Sequence, residues 1–96
     1  MPVAYVTVQL QITDSEVFDR YREKAGAALA KYGARPISAG RAEVLYDGGV
    51  GQSPTVLLEF PDADAARAWI SDPELAETHA LRNGGANVTL TLLPLA

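Results

Sequence analysis

The stretch VAYVTVQLQI, residues 3–12, alternates without a break: Ala4, Val6, Val8, Leu10 and Ile12 fall on one side of an extended chain, Tyr5, Thr7, Gln9 and Gln11 on the other. Successive side chains of a strand point to opposite faces, so this spacing predicts a strand with one core-facing side. NVTLTLLPL, residues 87–95, repeats the pattern, with Val88, Leu90 and Leu92 set against Thr89, Thr91 and Leu93. Strands of this kind need a layer packed on their apolar side, and their second side must meet either water or a partner.

The segments between them supply that layer. Thr13-Asp14-Ser15-Glu16 offers a helix start, as a capping box from Thr13 to Glu16 or with Asp14 as the N-cap. Val17, Phe18, Tyr21, Ala25, Ala28, Leu29 and Tyr32 then recur every three or four residues, and Gly33 provides a left-handed stop. RPISAGRAEVLY, residues 35–46, reads as a second strand bent at Gly40, DGGVGQSP as a hairpin loop, and TVLLEF, residues 55–60, as a third strand. After Pro61, Asp62 caps a helix with Ala65, Ala66, Trp69 and Ile70 as its inner face. Asp72-Pro73 breaks it and starts another, carrying Leu75, Thr78 or His79, and Arg82, which Asn83-Gly84-Gly85 ends. The order β-α-β-β-α-β predicts one α+β, ferredoxin-like domain over residues 1–96: a four-stranded antiparallel sheet with helices on one face. A chain of 96 residues holds one core of this size and not two.

Charge and composition narrow the partners. Twelve acidic against eight basic residues give a net charge of −4, opposite to what a phosphate backbone attracts, so no nucleic acid is expected. There is no cysteine, hence no disulfide, thiol nucleophile or thiolate metal site, and one histidine without HExxH-like spacing argues against any metal. No apolar run approaches the roughly 20 residues of a bilayer span, and the N-terminus lacks a basic stretch followed by an apolar one, so the expectation is a cytoplasmic protein without a membrane partner.

The second face of the sheet would carry Tyr5, Thr7, Gln9, Gln11, Thr55, Leu57, Glu59, Thr89, Thr91 and Leu93, almost without lysine or arginine. A solvated antiparallel face is usually more charged, so this composition points to a homodimer in which two such faces meet and the edges close into an eight-stranded barrel. Glu59 stands on this face. As a carboxylate at the end of an apolar strand it is the candidate general base, against the alternative, which the composition favours, of a structural ion pair with Arg35, Arg41 or Arg82. His79 is the only side chain with an unperturbed pKa near neutrality and is the candidate proton shuttle; its setting between Glu77 and Arg82 reads as a helix surface. Tyr5, Tyr21, Arg35, Trp69 and Arg82, with Tyr32 and Arg22 nearby in the layer, are candidate binding residues for a carboxylated or aromatic molecule. Core packing accounts for Tyr21 and Trp69 as well. No Ser-His-Asp arrangement, dinucleotide fingerprint or Walker motif is present, and no cofactor is expected.

The strand AYVTVQLQITD, the helix FDRYREKAGAALAKYGAR, the segment VLLEFPDADAARAWISDPE and the late ALR together resemble the DUF1330 family of the dimeric α+β barrel superfamily, almost end to end. Glu59, Phe60, Pro61, Ala66, Ala68, Trp69, Asp72, Pro73 and Glu74 form the most specific part. Family members often have serine before that proline and an aromatic residue where Leu75 stands, so one pocket wall differs here. The resemblance implies fold and dimerisation and brings no established reaction. Related barrels include cofactor-free monooxygenases, isomerases, cyclases and stress-response proteins. Two classes of function therefore compete: a cofactor-free enzyme for a small organic substrate, with Glu59 as base, Arg35 or Arg82 holding an anionic group and His79 as acid, or a non-catalytic binding or stress-related dimer.

Overall fold

A computed structural model describes residues 3–40, 42–50 and 54–93. The elements run β1 (Ala4–Ile12), α1 (Ser15–Lys31), β2 (Arg35–Ser38), β3 (Thr55–Phe60), α2 (Ala63–Ser71), a single 3-10 turn (Pro73–Leu75), α3 (Ala76–Gly85) and β4 (Ala86–Leu93). The strands form one antiparallel sheet in the order β2-β3-β1-β4, the ferredoxin-like arrangement, in which each βαβ half brings its outer strand to one side of the central pair. Among the described residues no helix is long and apolar enough to cross a membrane.

Local chemistry sets the boundaries. Asp14 is the N-cap of α1, its carboxylate accepting from the Val17 amide at 3.2 Å, and Asp62 caps α2 through the Ala65 amide at 2.7 Å. Gly33 ends α1 with φ +69, a conformation that glycine adopts without steric penalty. A third carboxylate, Asp72, accepts from the Glu74 amide at 2.8 Å and so starts the 3-10 turn. It also binds Lys31 Nζ and the Tyr32 hydroxyl, each at 2.6 Å, which ties the end of α1 to the junction after α2. These two donors and the amide hold the Asp72 carboxyl at about 2, below its ordinary 3.8.

The core lies between the sheet and the helices. Val6 and Val8 of β1, Leu58 and Phe60 of β3, Leu29 of α1, Ala34, and Ala66 and Trp69 of α2 make one cluster, with Phe60 fully enclosed. Where α3 crosses α1 the two backbones almost touch: a Cβ on Gly85 would stand 2.6 Å from the Phe18 amide nitrogen. The Gly85 carbonyl meanwhile accepts from the Thr13 and Asp14 amides, at 2.9 and 3.1 Å, fastening the entry of α1 to the exit of α3.

Four expectations change. The second strand stops at Ser38 instead of running to residue 46, because Gly40 turns the chain with φ +116. Residues 42–50 form irregular, exposed backbone, with an Asx turn in which the Asp47 carboxylate accepts from the Gly49 amide at 2.8 Å, and no strand pairing among the described residues of that segment; residues 51–53 of the expected hairpin lie outside the described residues. Ile70 lies largely exposed, since α2 is short and only Ala66 and Trp69 are buried on its inner side. The helical pattern after Asp72 divides into a 3-10 turn and a helix that continues through Gly84 and Gly85 into β4.

Candidate functional site

The candidate residues separate into two groups, one on each side of the sheet. On the uncovered side the register places Arg35 opposite Glu59, Glu59 opposite Tyr5, and Tyr5 opposite Leu93, a single row across all four strands. Side chains directly opposite on one face of an antiparallel pair are near neighbours, and Glu59 meets Arg35 at 3.5 Å. Glu59 is 25% and Arg35 69% exposed in side chain, so this is a solvated pair. Of the three partners the sequence offers Glu59, the fold supplies Arg35; Arg41 lies outside the described residues, and Arg82 is on the other side of the sheet.

Tyr21, Trp69, His79 and Arg82 meet on the covered side. His79 is only 8% exposed, which corrects its reading as a surface residue: polar neighbours along the chain said little, because i+3 and i−1 positions decide the packed side of α3 and put Thr78, His79, Arg82 and Gly85 there. Its Nε2 is 2.9 Å from the Trp69 carbonyl and its Nδ1 is 3.3 Å from Arg82 Nη1. A carbonyl only accepts and a guanidinium only donates, so the ring carries its proton on Nε2 and accepts on Nδ1. Both nitrogens are therefore committed, and the ring holds Arg82 in place. The Trp69 ring packs edge-on to His79 at 5.1 Å and against Phe60 at 5.4 Å, with the Arg82 guanidinium 6.0 Å from its centroid. The Trp69 indole N–H is buried and has no acceptor among the described residues.

Two of these groups, Tyr21 and Arg82, line a cavity of about 430 Å³ between α1 and the sheet. Val8, Leu10, Leu58 and Val88 form its floor and Phe18 and Leu29 its roof, while its polar lining comprises the buried Arg82, the half-buried Tyr21 and Thr55, and Arg22. Tyr21 also packs on Phe18, with ring centroids 5.3 Å apart. Burial pushes the Tyr21 phenol up, partly offset by the Arg82 charge beside it, and burial likewise lowers the Arg82 guanidinium from its ordinary value. Arg22, stacked 4.9 Å over the Phe18 ring and paired with Asp19, stands at the exposed rim. A wider hollow of about 520 Å³ beside Gln9, Gln11, Asn83 and Asn87 opens to solvent and has no charged lining residue. Among the described residues no group of three or more His, Cys, Asp or Glu side chains is placed to hold a metal ion. The sequence named all four residues but not the cavity beside Tyr21 and Arg82, since its floor comes from β1, β3 and β4 and its roof from α1.

The geometry and the family comparison meet at this point. The family model for the domain of unknown function DUF1330 matches residues 3–95. The chain belongs to the DUF1330 family. No curated protein matches the sequence. Among solved structures this DUF1330 chain is similar to the RPA0582 protein of unknown function from Rhodopseudomonas palustris, with its methylated form at TM-score 0.76 and 18% identity over 98% of this chain and 82% of that one. It is also similar to a dimeric ferredoxin-like protein of unknown function from Jannaschia sp. CCS1, at TM-score 0.66 and 15% identity over 98% of this chain and 100% of the other. SnoaB, a cofactor-independent oxygenase from Streptomyces nogalater, aligns at TM-score 0.63 and 11% identity over 100% of this chain and 95% of its own. At such identities the likeness is one of fold, and it places this DUF1330 domain among ferredoxin-like α+β proteins.

Proposed function

We propose that this protein is a self-associating binding protein for a small organic molecule, seated in the cavity between α1 and the sheet. The observation that carries the reading is the cavity itself: about 430 Å³, within the roughly 300–1,000 Å³ of small-molecule sites, lined mostly by apolar side chains, with Tyr21, Arg22, Thr55 and Arg82 as its polar ones. A cofactor-free enzyme with Glu59 as base and His79 as acid is less well supported. Glu59 stands on the uncovered face against Arg35, His79 is held beneath the helices with both nitrogens engaged, and the sheet separates them. SnoaB's oxygenase activity belongs to that protein and reaches this chain only as a shared fold.

Self-association is supported by the uncovered face, where Tyr5, Thr7, Leu57 and Glu59 are half-buried without any helix above them, and by the exposed Val44, Leu45, Tyr46 and Val50 in the segment beside it in sequence. The Jannaschia neighbour is described as dimeric. Native mass spectrometry of the freshly purified protein tests both parts. A dimer carrying an additional small mass is the expected result; a bare monomer whose melting temperature no apolar compound raises would sink the proposal.

A further inference from the structure

Six of the eight lysines and arginines lie on the surface of the described structure, and five of those, Arg22, Lys24, Lys31, Arg35 and Arg67, stand within 4 Å of a carboxylate. Arg82 reverses this. It is only 4% exposed, and among the described residues no carboxylate lies within ion-pair distance of it. Its Nε donates to Asn83 Oδ1 at 3.1 Å, its Nη1 to His79 Nδ1 at 3.3 Å, and its remaining neighbours are the Tyr21 phenol and the Trp69 ring. All of these are neutral. A guanidinium withdrawn from water without a counter-charge is costly, and a fold that only needed to fill the space would do better with an apolar side chain.

The arrangement holds the charge in place instead of cancelling it. His79, fixed by the Trp69 carbonyl, orients one edge of the guanidinium, Asn83 takes Nε, and the side chain is left lining a mostly apolar cavity in which it is the one buried charge, the other cation, Arg22, being exposed and paired with Asp19. Guanidinium groups bind carboxylates by paired, charge-assisted hydrogen bonds, and such bonds are strongest where water is excluded. We infer that the ligand of this cavity is an apolar carboxylate, its acid group bound by Arg82 with Tyr21 as a second donor and its hydrocarbon or aromatic body lying between α1 and the sheet. This rests on the cavity being the binding site, as proposed above, and adds the ligand's chemical class. His79 is in this scheme a positioning residue.

The experiment compares acids with the matching alcohols: octanoate against 1-octanol, and 2-naphthoate against 2-naphthol, each titrated calorimetrically into the full-length protein. Each carboxylate is expected to bind at least tenfold more tightly than its alcohol. Arg82→Met should abolish that ratio while the alcohols still bind, Arg82→Lys should keep part of it, and Arg20→Gln, which removes an exposed charge on α1, should leave it unchanged. Acids and alcohols binding equally well would overturn the carboxylate assignment and leave the cavity reading intact, and so would a ratio that survives Arg82→Met. No binding by any of the four would remove the cavity reading and the inference with it. The wild-type ratio needs no variant, so misfolding of Arg82→Met would leave the assignment open to refutation.

Discussion

Leu58 and Phe60 on one side of β3, and Leu57 and Glu59 on the other, are neighbours along six residues of chain and live in different physical settings. The first pair sits in the core beneath helices, and Phe60 is fully enclosed. Glu59 lies in a row with Arg35 and Tyr5, and Leu57 in the adjoining row with Ser38 and Thr7, and no described part of the chain covers either. Polar groups beneath the helices have little water to turn to, so His79 is satisfied at both nitrogens, while Arg82, without a counter-charge, and the Trp69 N–H, without an acceptor among the described residues, stand out. Polar groups on the uncovered face can rely on water or on a second copy, so their pairing there says much less. The two sides should respond differently to mutation.

The sharpest test of that contrast is Phe60→Ala, which empties the centre of the core and should cost about 3–5 kcal/mol of folding stability in denaturant titrations. Leu57→Ala, three positions earlier and on the other side, should leave folding nearly unchanged and act on assembly, read by sedimentation. Equal losses of folding stability would break the distinction. Next in size is Gly85→Ala, whose new methyl group meets the Phe18 backbone; a loss of about 1–3 kcal/mol is expected, visible as a lower melting temperature.

Asp72→Asn has its effect in pH. Because the folded-state carboxyl titrates at about 2, below the ordinary 3.8, Asp72 stabilises the fold above roughly pH 4, and this contribution is lost as pH falls through 2. Urea midpoints of variant and wild type should therefore differ at pH 7 and converge towards pH 2; a gap that stays constant would mean the Lys31 and Tyr32 contacts are not proton-linked. The smallest effect is expected for Glu59→Gln, which loses a solvated pair worth less than about 1 kcal/mol. Carboxylate binding should persist in it, since the sheet separates Glu59 from the cavity. Loss of binding or of a measured turnover would return the uncovered face to the functional site.

Much of the architecture was legible because it follows from local rules. Two-residue alternation in β1 and β4, three-and-four spacing in α1, and the Asp14, Asp62, Asp72 and Gly33 punctuation each act over a few bonds, and each element appears where the pattern puts it. The misreadings arise where that reach ends. Val44, Leu45 and Tyr46 have strand-forming side chains, but the pairing of β2 ends at Ser38, so propensity found no neighbour to bond. The sequence reads His79 as a surface residue from the charges around it, whereas it is buried with Arg82 on the side of α3 that packs against α1 near Phe18 and Gly85.

The sequence by itself therefore determined the element order, the antiparallel sheet and the existence of a second, polar face, because hydrophobic period and capping chemistry are written residue by residue. The tertiary structure alone decided which titratable groups share a space: it separated Glu59 from His79 by a sheet, packed His79 and Trp69 around Arg82, and set Arg82 with Tyr21 in the wall of one mostly apolar cavity. These contacts join residues far apart in the chain, and they depend on how closely two helices approach, which no local pattern records.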